Sequence, residues 1–374
     1  MTRAVAVAYD MVTSYGWGTD KCWDGLFSGI TAIRPIERFA TLNMQTGNAG
    51  IIEGLKIRQE ESLVMQMIRP LLAKDTVKIP DDTFVILATT NGEIEYLQRF
   101  VLGEEQSAKE SLPDYLLDKI MRLAGTCGKG TVVSSACASS SIAVSRAASL
   151  IRNNDYDSVL VIGCDCVSEF VTAGFSSLMA LDPDKAKPFD ENRRGLSLGE
   201  AAGYVLLMSE ERSVKNNVKV LGEVAGWGLS NDANHITGPS RDGSGLCQAI
   251  SNSLQSAGIS ENEIGSVSAH GTGTVYNDSM EMKAIKKIFG EPKLPVYSIK
   301  GGIGHTLGAA GILEIIISFE SLNTKITPPT VNLNNVDEEA MGWVFSSSQS
   351  YKSNYTLSIN SGFGGVNSAL ILKN

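Results

Sequence analysis

The chain has 374 residues, of which 43% are hydrophobic and 20% are charged, and its formal net charge is -9. This length can bury a substantial core in one large domain or two medium ones, and the composition excludes a disordered or fibrous protein. The acidic balance and the absence of any Lys/Arg run disfavour nucleic acid and anionic membranes as partners, because phosphate groups require a concentrated basic surface.

The N-terminal segment MTRAVAVAYDMV is predicted to be a strand. Its apolar run is too short for a signal peptide or a membrane span, and Asp10 interrupts it. A chain without a signal keeps its thiols reduced, so we expect a cytoplasmic protein whose six cysteines form no framework of disulfides. Cys164 and Cys166, in VLVIGCDCV, are expected to be buried at the end of a strand.

Short apolar, β-branched runs alternate with amphipathic patterns along the chain, which predicts an α/β architecture with mostly buried strands. The predicted strands are AVAVAY, TFVILAT, GTVVSS, SVLVIGC and GYVLLM in the first half, and VKVLGEVAGWG, SVSAH, PVYSI, WVFSS and YTLSIN in the second. The predicted helices cover residues 56–73, 138–153, 245–257, 278–289 and 309–321.

The two halves show the same order of elements. TFVILATTNGEIEYLQRFV and SVSAHGTGTVYNDSMEMKAIKKIF each run from a strand through a turn with glycine into a helix. TVVSSACASSSIAVSRAASLI and PVYSIKGGIGHTLGAAGILEIIISF then repeat strand, small-residue turn and helix. This order predicts an ancient duplication with a junction near residues 208–218, so that equivalent turns could meet at one point.

The residues able to react lie on those turns. Cys137, in SSACASSSIAV, stands where a strand gives way to a helix, and the amides and dipole of a helix start should lower the pKa of its thiol below the free value of ~8.5. His270 and His305 lie in glycine-rich turns, where the backbone can approach a ligand closely. His235, in NDANHITGPS, is expected to be structural or exposed.

One cysteine and two histidines fit several activities. A cysteine hydrolase would add an Asn or Asp that orients the histidine, and the spacing does not exclude it. A metal site is disfavoured, because ligands from three separate turns lack the close pairs of ordinary zinc sites. Spacing alone leaves the choice open.

Five motifs, in order, resemble those of the elongating β-ketoacyl-acyl carrier protein synthases, over nearly the whole chain. SSACASSS resembles the nucleophile turn, KPFDENRRGLSLGEAAG the end of the first half, AHGTGTVYND the first histidine loop, KGGIGHTLGAAG the lysine and second histidine loop, and NSGFGGVNSALIL the closing turn. The resemblance implies a thiolase-like α/β fold layered α-β-α-β-α. Its two pseudo-duplicated halves, each with a mixed sheet, would be residues 1–212 with the nucleophile and 213–374 with both histidines.

The resemblance also implies roles for individual residues. Cys137 would take the acyl group as a thioester, and His270, His305 and Lys300 would complete the catalytic set. Supporting roles are implied for Glu314 as the partner of Lys300, Asp278 and Glu281 as acids behind the first histidine loop, Phe363 as an aromatic gate whose amide joins that of Cys137 in an oxyanion hole, and Thr272 and Thr274 beside the pantetheine arm. From the residues alone, Lys300 and Glu314 could be a simple ion pair, Asp278 and Glu281 helix caps, and Phe363 a core residue.

The implied reaction is decarboxylative Claisen condensation of malonyl-carrier protein with an acyl chain on Cys137, in fatty-acid, polyene or polyketide elongation. It needs an acyl carrier protein with its phosphopantetheine and no other cofactor. Initiating synthases have Asn at the position of His305 and degradative thiolases carry a second cysteine near it, so His305 disfavours both. A homodimer is implied, or a heterodimer with a ketosynthase-like subunit; the alternative is that this chain is itself such a subunit and shapes chain length.

Three departures from the family's pattern stand out. The chain is shorter than familiar elongating synthases, chiefly before Cys137. Arg193-Arg194 and Ala201 stand where relatives more often have an acid and a glycine. The shorter N-terminal part is expected to affect the shape of the pocket and the packing of the dimer. The changes at Arg193-Arg194 and Ala201 are expected to affect a loop or the docking of the carrier, and not the chemistry.

Overall fold

The computed structural model describes residues 2–73, 78–105 and 107–374. Its strands are β1 (Ala4–Thr13), β2 (Gly16–Trp17), β3 (Arg34–Pro35), β4 (Asn48–Gly50), β5 (Phe84–Ala88), β6 (Gly130–Val133), β7 (Ser158–Asp165), β8 (Leu198–Gly199), β9 (Ala201–Ser209), β10 (Gly222–Asn231), β11 (Ile264–Ser268), β12 (Val296–Tyr297), β13 (Ile326–Thr327), β14 (Gln349–Ser350), β15 (Tyr355–Gly362) and β16 (Val366–Lys373). Its α-helices are α1 (Thr19–Phe27), α2 (Leu63–Leu72), α3 (Ile94–Val101), α4 (Pro113–Ala124), α5 (Ser139–Arg152), α6 (Glu169–Ser177), α7 (Glu210–Lys215), α8 (Ser244–Ala257), α9 (Val275–Phe289), α10 (Lys300–Ile303) and α11 (Ala310–Thr324). Short 3-10 helices cover Lys109–Ser111, Glu261–Glu263, Leu307–Ala309 and Glu338–Ala340.

The main sheet has eleven strands, ten of which form two five-stranded units with the same topology, while β2 pairs with β1 beside them. The first has the order β1-β9-β7-β5-β6, with its first two pairings antiparallel and its last two parallel. The second repeats this pattern as β10-β16-β15-β11-β12. Each unit therefore has the mixed sheet that the resemblance implies. The antiparallel pairing of β1 with β10 joins the two units edge to edge.

Helices α5 and α11 occupy equivalent positions in the two halves and share the largest core cluster. Small residues let them approach closely: a Cβ at Gly311 of α11 would overlap the Ser141 side chain of α5. The stretch Leu307–Thr324 is apolar and long enough to cross a membrane, but 83% of it is buried inside the protein, as in the core helix of a globular fold. Each of the two helices follows a turn that carries a reactive residue, so their contact sets where those turns lie.

Three predicted elements differ from the structure. WVFSS forms no strand, because Trp343 is buried in a turn closed by the Ala340 carbonyl. The helix predicted over 56–73 begins only at Leu63, where the Ser62 side chain accepts a hydrogen bond from the Met65 amide as a cap. The helix predicted from 278 begins earlier, at Val275. The predicted N-terminal strand is β1, and Met1 lies outside the described residues.

Candidate active site

Cys137 lies on a tight turn between β6 and α5. Ala136 has a positive φ of 48°, a strained conformation for a residue with a side chain. The Ser139 hydroxyl holds the turn by accepting a hydrogen bond from the Ser135 amide (2.8 Å) and donating one to the Ala136 carbonyl (2.6 Å). The turn presents the thiol to a cavity while leaving Cys137 only 7% exposed.

The thiol and two imidazoles converge, although they come from different halves of the chain. His305 Nε2 lies 2.9 Å from Cys137 Sγ, and the rings of His270 and His305 are edge-on with their centroids 5.1 Å apart. One side-chain N or S atom of each of the three residues lies within 4.8 Å of the others. The repeated order of elements predicts that equivalent turns of the two halves could meet. In the structure the turn with Cys137 and its equivalent, the turn with His305, do meet.

Hydrogen bonds define the tautomer of His270. Its Nδ1 lies 3.2 Å from Lys300 Nζ and 3.2 Å from Asn360 Nδ2, both of which donate, so Nδ1 is an acceptor. Burial, and then the charge of Lys300, hold the pKa of His270 well below its ordinary value. The neutral ring therefore carries its proton on Nε2.

This protonation pattern does not suit a metal ligand. A metal-binding histidine donates its second ring N–H to an acceptor and offers the other nitrogen's lone pair to the ion. In His270 the second nitrogen faces two donors instead. The cluster of Cys137, His270 and His305 is arranged for proton transfer and hydrogen-bond donation.

A buried ion pair supports His270 from behind. Lys300 Nζ donates to the His270 carbonyl (2.6 Å) and pairs with Glu314, and both charged side chains are almost completely buried. Asn360 Nδ2 donates to the second Glu314 oxygen. Burial raises the pKa of Glu314, and the charge of Lys300 opposes that shift. Sequence reasoning missed Asn360, although it begins the quoted motif NSGFGG.

The prediction of a lowered thiol pKa is wrong for the free protein. Burial raises the pKa of Cys137 to about 11, although the Lys300 charge and a hydrogen bond from the Phe363 amide act in the opposite direction. The helix start that was expected to stabilise a thiolate is itself excluded from water, so desolvation outweighs it. Burial, together with Lys300, also holds the pKa of His305 well below its ordinary value. The resting pair is a neutral thiol beside a neutral imidazole.

Asp278 and Glu281 hold the His270 loop. Glu281 accepts hydrogen bonds from the amides of His270 (2.6 Å) and Gly271 (2.7 Å), and Asp278 accepts from the amides of Thr272 (3.1 Å) and Phe189 (2.8 Å). No side-chain hydrogen bond caps α9, although Asp278 lies in its first turn. Burial raises the pKa of Glu281 to about 8, and the neighbouring Asp278 adds to the shift.

The remaining predicted residues line one cavity of about 700 Å³ that opens to the surface. Thr272 and Thr274 line it with their hydroxyls 2.9 Å apart. Phe363 is half-buried, and its ring stacks on Phe175 with centroids 5.8 Å apart. His235 is exposed at the mouth, outside the catalytic cluster, and its Nδ1 accepts from the Thr237 amide. This size and mixed polarity suit an organic substrate.

The structure shows where the three residues that depart from the family's pattern lie. Arg193 is buried and pairs with Asp337 (2.6 Å) while approaching Asp278 (3.7 Å), so it anchors the loop before β8. Arg194 is exposed and lines the cavity mouth. Ala201 is fully buried in β9. None of the three touches the catalytic cluster.

Comparison with known proteins identifies the family. Residues 83–213 match the model of the β-ketoacyl synthase N-terminal domain, and residues 221–334 match that of the C-terminal domain. The chain belongs to the β-ketoacyl synthase family. The resemblance drawn from five motifs is therefore confirmed, and with it the expectation of an acyltransferase that forms carbon–carbon bonds.

Relatives of this β-ketoacyl synthase span its whole length. The 3-oxoacyl-[acyl-carrier-protein] synthase 2 of Vibrio cholerae is 32% identical, with 99% of each chain covered. The structure of the ishigamide ketosynthase/chain length factor has a TM-score of 0.90 at 27% identity, covering 100% of this chain and 99% of the other. A ketosynthase in complex with its chain length factor from Xenorhabdus doucetiae has a TM-score of 0.81 at 27% identity, covering 100% and 98%. The thiolase-like α/β fold with mixed sheets is confirmed.

Proposed function

We propose that this β-ketoacyl synthase condenses malonyl-carrier protein with an acyl chain held as a thioester on Cys137, with loss of carbon dioxide. Fatty-acid, polyene or polyketide elongation would use this step. The observation that carries the proposal is the convergence of one thiol and two neutral imidazoles at the floor of a cavity.

Acyl transfer is the first step. Because the thiol is protonated at rest, His305 Nε2, 2.9 Å away, accepts its proton as the sulfur attacks the acyl carbon of the carrier thioester. In this proposal the backbone amides of Cys137 and Phe363 stabilise the tetrahedral oxyanion. The carbon–sulfur bond to the carrier then breaks, and the imidazolium returns its proton to the leaving thiolate.

Decarboxylation and condensation follow on malonyl-carrier protein. The bond from the malonyl carbon to its carboxylate breaks, and the electron pair forms an enolate whose oxygen accepts the Nε2 proton of His270 as a hydrogen bond. Among the described residues nothing hydrogen-bonds His305 Nδ1. The tautomer with its proton on Nε2 supplies a second donor to the enolate oxygen. Neutral imidazoles donate without protonating the carbanion, which attacks the acyl carbon of the acyl-cysteine. The carbon–sulfur bond then breaks, and the released thiolate takes up a proton from water, which restores the resting thiol.

Lys300 acts through His270 in this scheme. Its Nζ donor at Nδ1 keeps the ring proton on the opposite nitrogen, where the enolate forms, and Glu314 balances its charge. In this proposal Lys300 is a positioning residue that acts through His270. Phe363, which lines the same cavity as the thiol, is the aromatic gate.

Intact-mass analysis with an acyl thioester, combined with carbon dioxide release from malonyl thioester, tests the assignment. Wild-type protein should gain one acyl group, Cys137→Ala none, and His270→Ala should become acylated but release little carbon dioxide. An acylated Cys137→Ala protein rules the assignment out. Free acid as the product, without carbon dioxide, would instead indicate a thiol hydrolase.

The assembly and location are part of the proposal. Two of the similar structures contain a ketosynthase together with a chain length factor, which supports a heterodimer of this kind for this chain. A homodimer is the alternative. Its complete set of cysteine and histidines favours the active subunit. Native mass spectrometry of the protein alone, and after co-expression with a candidate partner, distinguishes the two assemblies. All six cysteines are free, which suits a reducing cytoplasm.

We also propose that the halves are residues 1–212 and 213–374 in a fold layered α-β-α-β-α. The repeated strand order supports two units, and the boundary lies within α7, on the connection from β9 to β10. In this arrangement α5 and α11 form the central layer. Separate expression of the two parts, followed by reconstitution of acylation activity, tests the boundary.

A further inference from the structure

Asn360 is a completely buried amide on β15. On this strand Thr356, Ser358 and Asn360 alternate with Leu357 and Ile359, and all five side chains are buried. The two apolar residues pack into a hydrophobic cluster, so the three polar residues lie on the opposite face of the strand. Asparagine is uncommon in strands, and burying an amide costs free energy unless its donors and its acceptor are bonded.

The three hydrogen bonds of this amide go to three different parts of the fold. Its Nδ2 donates to His270 Nδ1 (3.2 Å), on the loop after β11, and to the carboxylate of Glu314 on α11. Its Oδ1 accepts from the Ser141 hydroxyl on α5. The opposite orientation would place Oδ1 against the Glu314 carboxylate, so the partners define which way the amide points. Asn360 therefore joins two packed helices to the histidine loop.

The packing of α11 leaves room for this junction. A Cβ at Gly311 would overlap Ser141 Oγ and would lie 3.0 Å from Asn360 Oδ1, so only glycine fits where the helix passes the amide. Ser141 lies four residues after Cys137 in the chain, and Glu314 lies three residues after Gly311. The amide thus contacts both the helix that follows the nucleophile and the helix that carries the buried acid.

Asn360 and Lys300 contact His270 Nδ1 in different ways. Lys300 Nζ also lies 3.2 Å from Nδ1, but it donates to the His270 carbonyl and pairs with Glu314 as well. Its long aliphatic chain is flexible, so the ammonium group can follow a ring that moves. The Asn360 amide is planar and uncharged, and Ser141 holds its other end. It is therefore the donor that can hold the ring in one place.

We propose that Asn360 is a positioning residue for decarboxylation, which engages the lone pair of His270 Nδ1 and so keeps the ring proton on Nε2 for the enolate. Through Ser141 it also ties the ring to the helix that follows Cys137. This inference rests on the proposed function and adds to it a residue that touches no reacting atom. Acyl transfer uses His305 and should not depend on Asn360.

Exchanging the amide and the carboxylate tests the donor. In Asn360→Asp/Glu314→Gln the net charge is unchanged, the glutamine amide can donate to the aspartate carboxylate, and the two side chains still supply one negative charge for Lys300. Only the group that faces His270 Nδ1 changes, from a donor to an acceptor, so the ring proton is drawn from Nε2 to Nδ1. Asn360→Asp alone would press two buried carboxylates together, which the exchange avoids.

The double variant should fold and should separate the two half-reactions. Acylation of Cys137 should stay within about twofold of the wild-type rate, whereas kcat for carbon dioxide release from malonyl thioester should fall about a hundredfold, the effect of losing one oxyanion donor. KM should change little, because Asn360 is not among the described residues that line the cavity. Thermal melts check that the variant is folded.

Nitrogen NMR locates the proton directly. The chain has three histidines, so protein labelled at histidine gives few signals, and those missing from His270→Ala identify His270. In wild-type protein Nε2 should carry the proton and Nδ1 none, and in the double variant Nδ1 should be protonated. An asparagine with only a structural role would leave this pattern unchanged.

Asn360→Leu removes the amide without adding charge. Lys300 still donates to Nδ1, so the proton should stay on Nε2, and carbon dioxide release should fall only about tenfold, a loss typical of one hydrogen bond. A loss as large as that of the exchange would contradict the proposal, because it would show that the polarity of the contact is unimportant.

Two controls separate this role from stability. Ser141→Ala removes the hydroxyl bonded to Asn360 Oδ1 but leaves both Nδ2 donors, so the melting temperature should fall while the His270 proton stays on Nε2. Ser358→Ala alters the same face of β15, at a buried hydroxyl with no hydrogen-bond partner among the described residues. Both half-reactions should keep their wild-type rates in Ser358→Ala.

The outcomes distinguish this inference from the proposed function. A folded double variant that releases carbon dioxide at the wild-type rate, or that keeps the His270 proton on Nε2, would overturn the role of Asn360. Equal losses of acylation and decarboxylation would overturn it too, because the amide would then support the whole site. Wild-type protein that neither becomes acylated nor releases carbon dioxide would instead overturn the proposed function.

Discussion

Replacing Lys300 with methionine should lower both the stability of the protein and its rate of decarboxylation, and a second substitution at Glu314 should restore only the stability. Glu314 is fully buried, and its two donors are Lys300 and Asn360. Lys300→Met removes one donor and the only counter-charge described for it, and breaking a buried pair in this way costs about 3–5 kcal/mol. With an unfolding entropy of about 2.1 cal/mol/K per residue, this corresponds to a melting temperature lower by ~4–6 °C.

The double variant Lys300→Met/Glu314→Leu is the matched comparison. It removes both charges, so most of the lost stability should return. Decarboxylation should not return, because His270 Nδ1 has still lost its lysine donor. Thermal melts and carbon dioxide release from malonyl thioester, measured on the wild type, the single variant and the double variant, provide the comparison.

Two results would refute this reasoning. A double variant as unstable as the single one would show that the unpaired carboxylate is not the source of the loss. A double variant that decarboxylates like wild type would show that the lysine does not act through His270.

Three further predictions concern the thiol, a buried acid and a glycine. Alkylation of Cys137 by iodoacetamide should still be accelerating above about pH 10, because burial raises the pKa of the thiol to about 11, and a plateau near ~8.5, the value of a free thiol, would contradict this. The raised pKa of Glu281, about 8 against an ordinary value of 4.5, means that the folded protein binds a proton that the unfolded chain releases, so stability should fall as the pH rises from 4.5 through 8. Glu281→Gln should flatten that slope in thermal melts, and an unchanged slope would contradict the assignment. Gly311→Ala pushes a methyl group onto Ser141 and should cost about 1–3 kcal/mol, whereas Gly174→Ala meets nothing within 4 Å; equal melting temperatures of the two would refute the close helix contact.

Local sequence patterns were sufficient to predict most of the strands and helices of the fold. Nine of the ten quoted strand segments contain strands, because buried β-branched runs between turns leave little choice of conformation. WVFSS has the same apolar character but buries Trp343 in a turn. Only tertiary packing distinguishes the two outcomes.

The candidate site was predictable in its members but not in its electrostatics. Motifs singled out Cys137 and both histidines, since each lies in a turn of small residues, and the structure brings the three side chains together. The thiol pKa was predicted in the wrong direction, because the residues that bury Cys137 come from distant parts of the chain. Asn360 was overlooked for the same reason: in sequence it is part of a strand, and its contacts with His270 and Ser141 span 90 and 219 residues.

The close contact between α5 and α11 has a consequence for how such an enzyme can diversify. Since each helix extends from a turn bearing a reacting group, the separation of sulfur and imidazole is fixed by the small side chains between the helices. The wall of the cavity, in contrast, includes residues of α6, α9 and the loops around the opening. Substitutions there can alter which molecules are elongated while the bond-forming geometry is inherited unchanged.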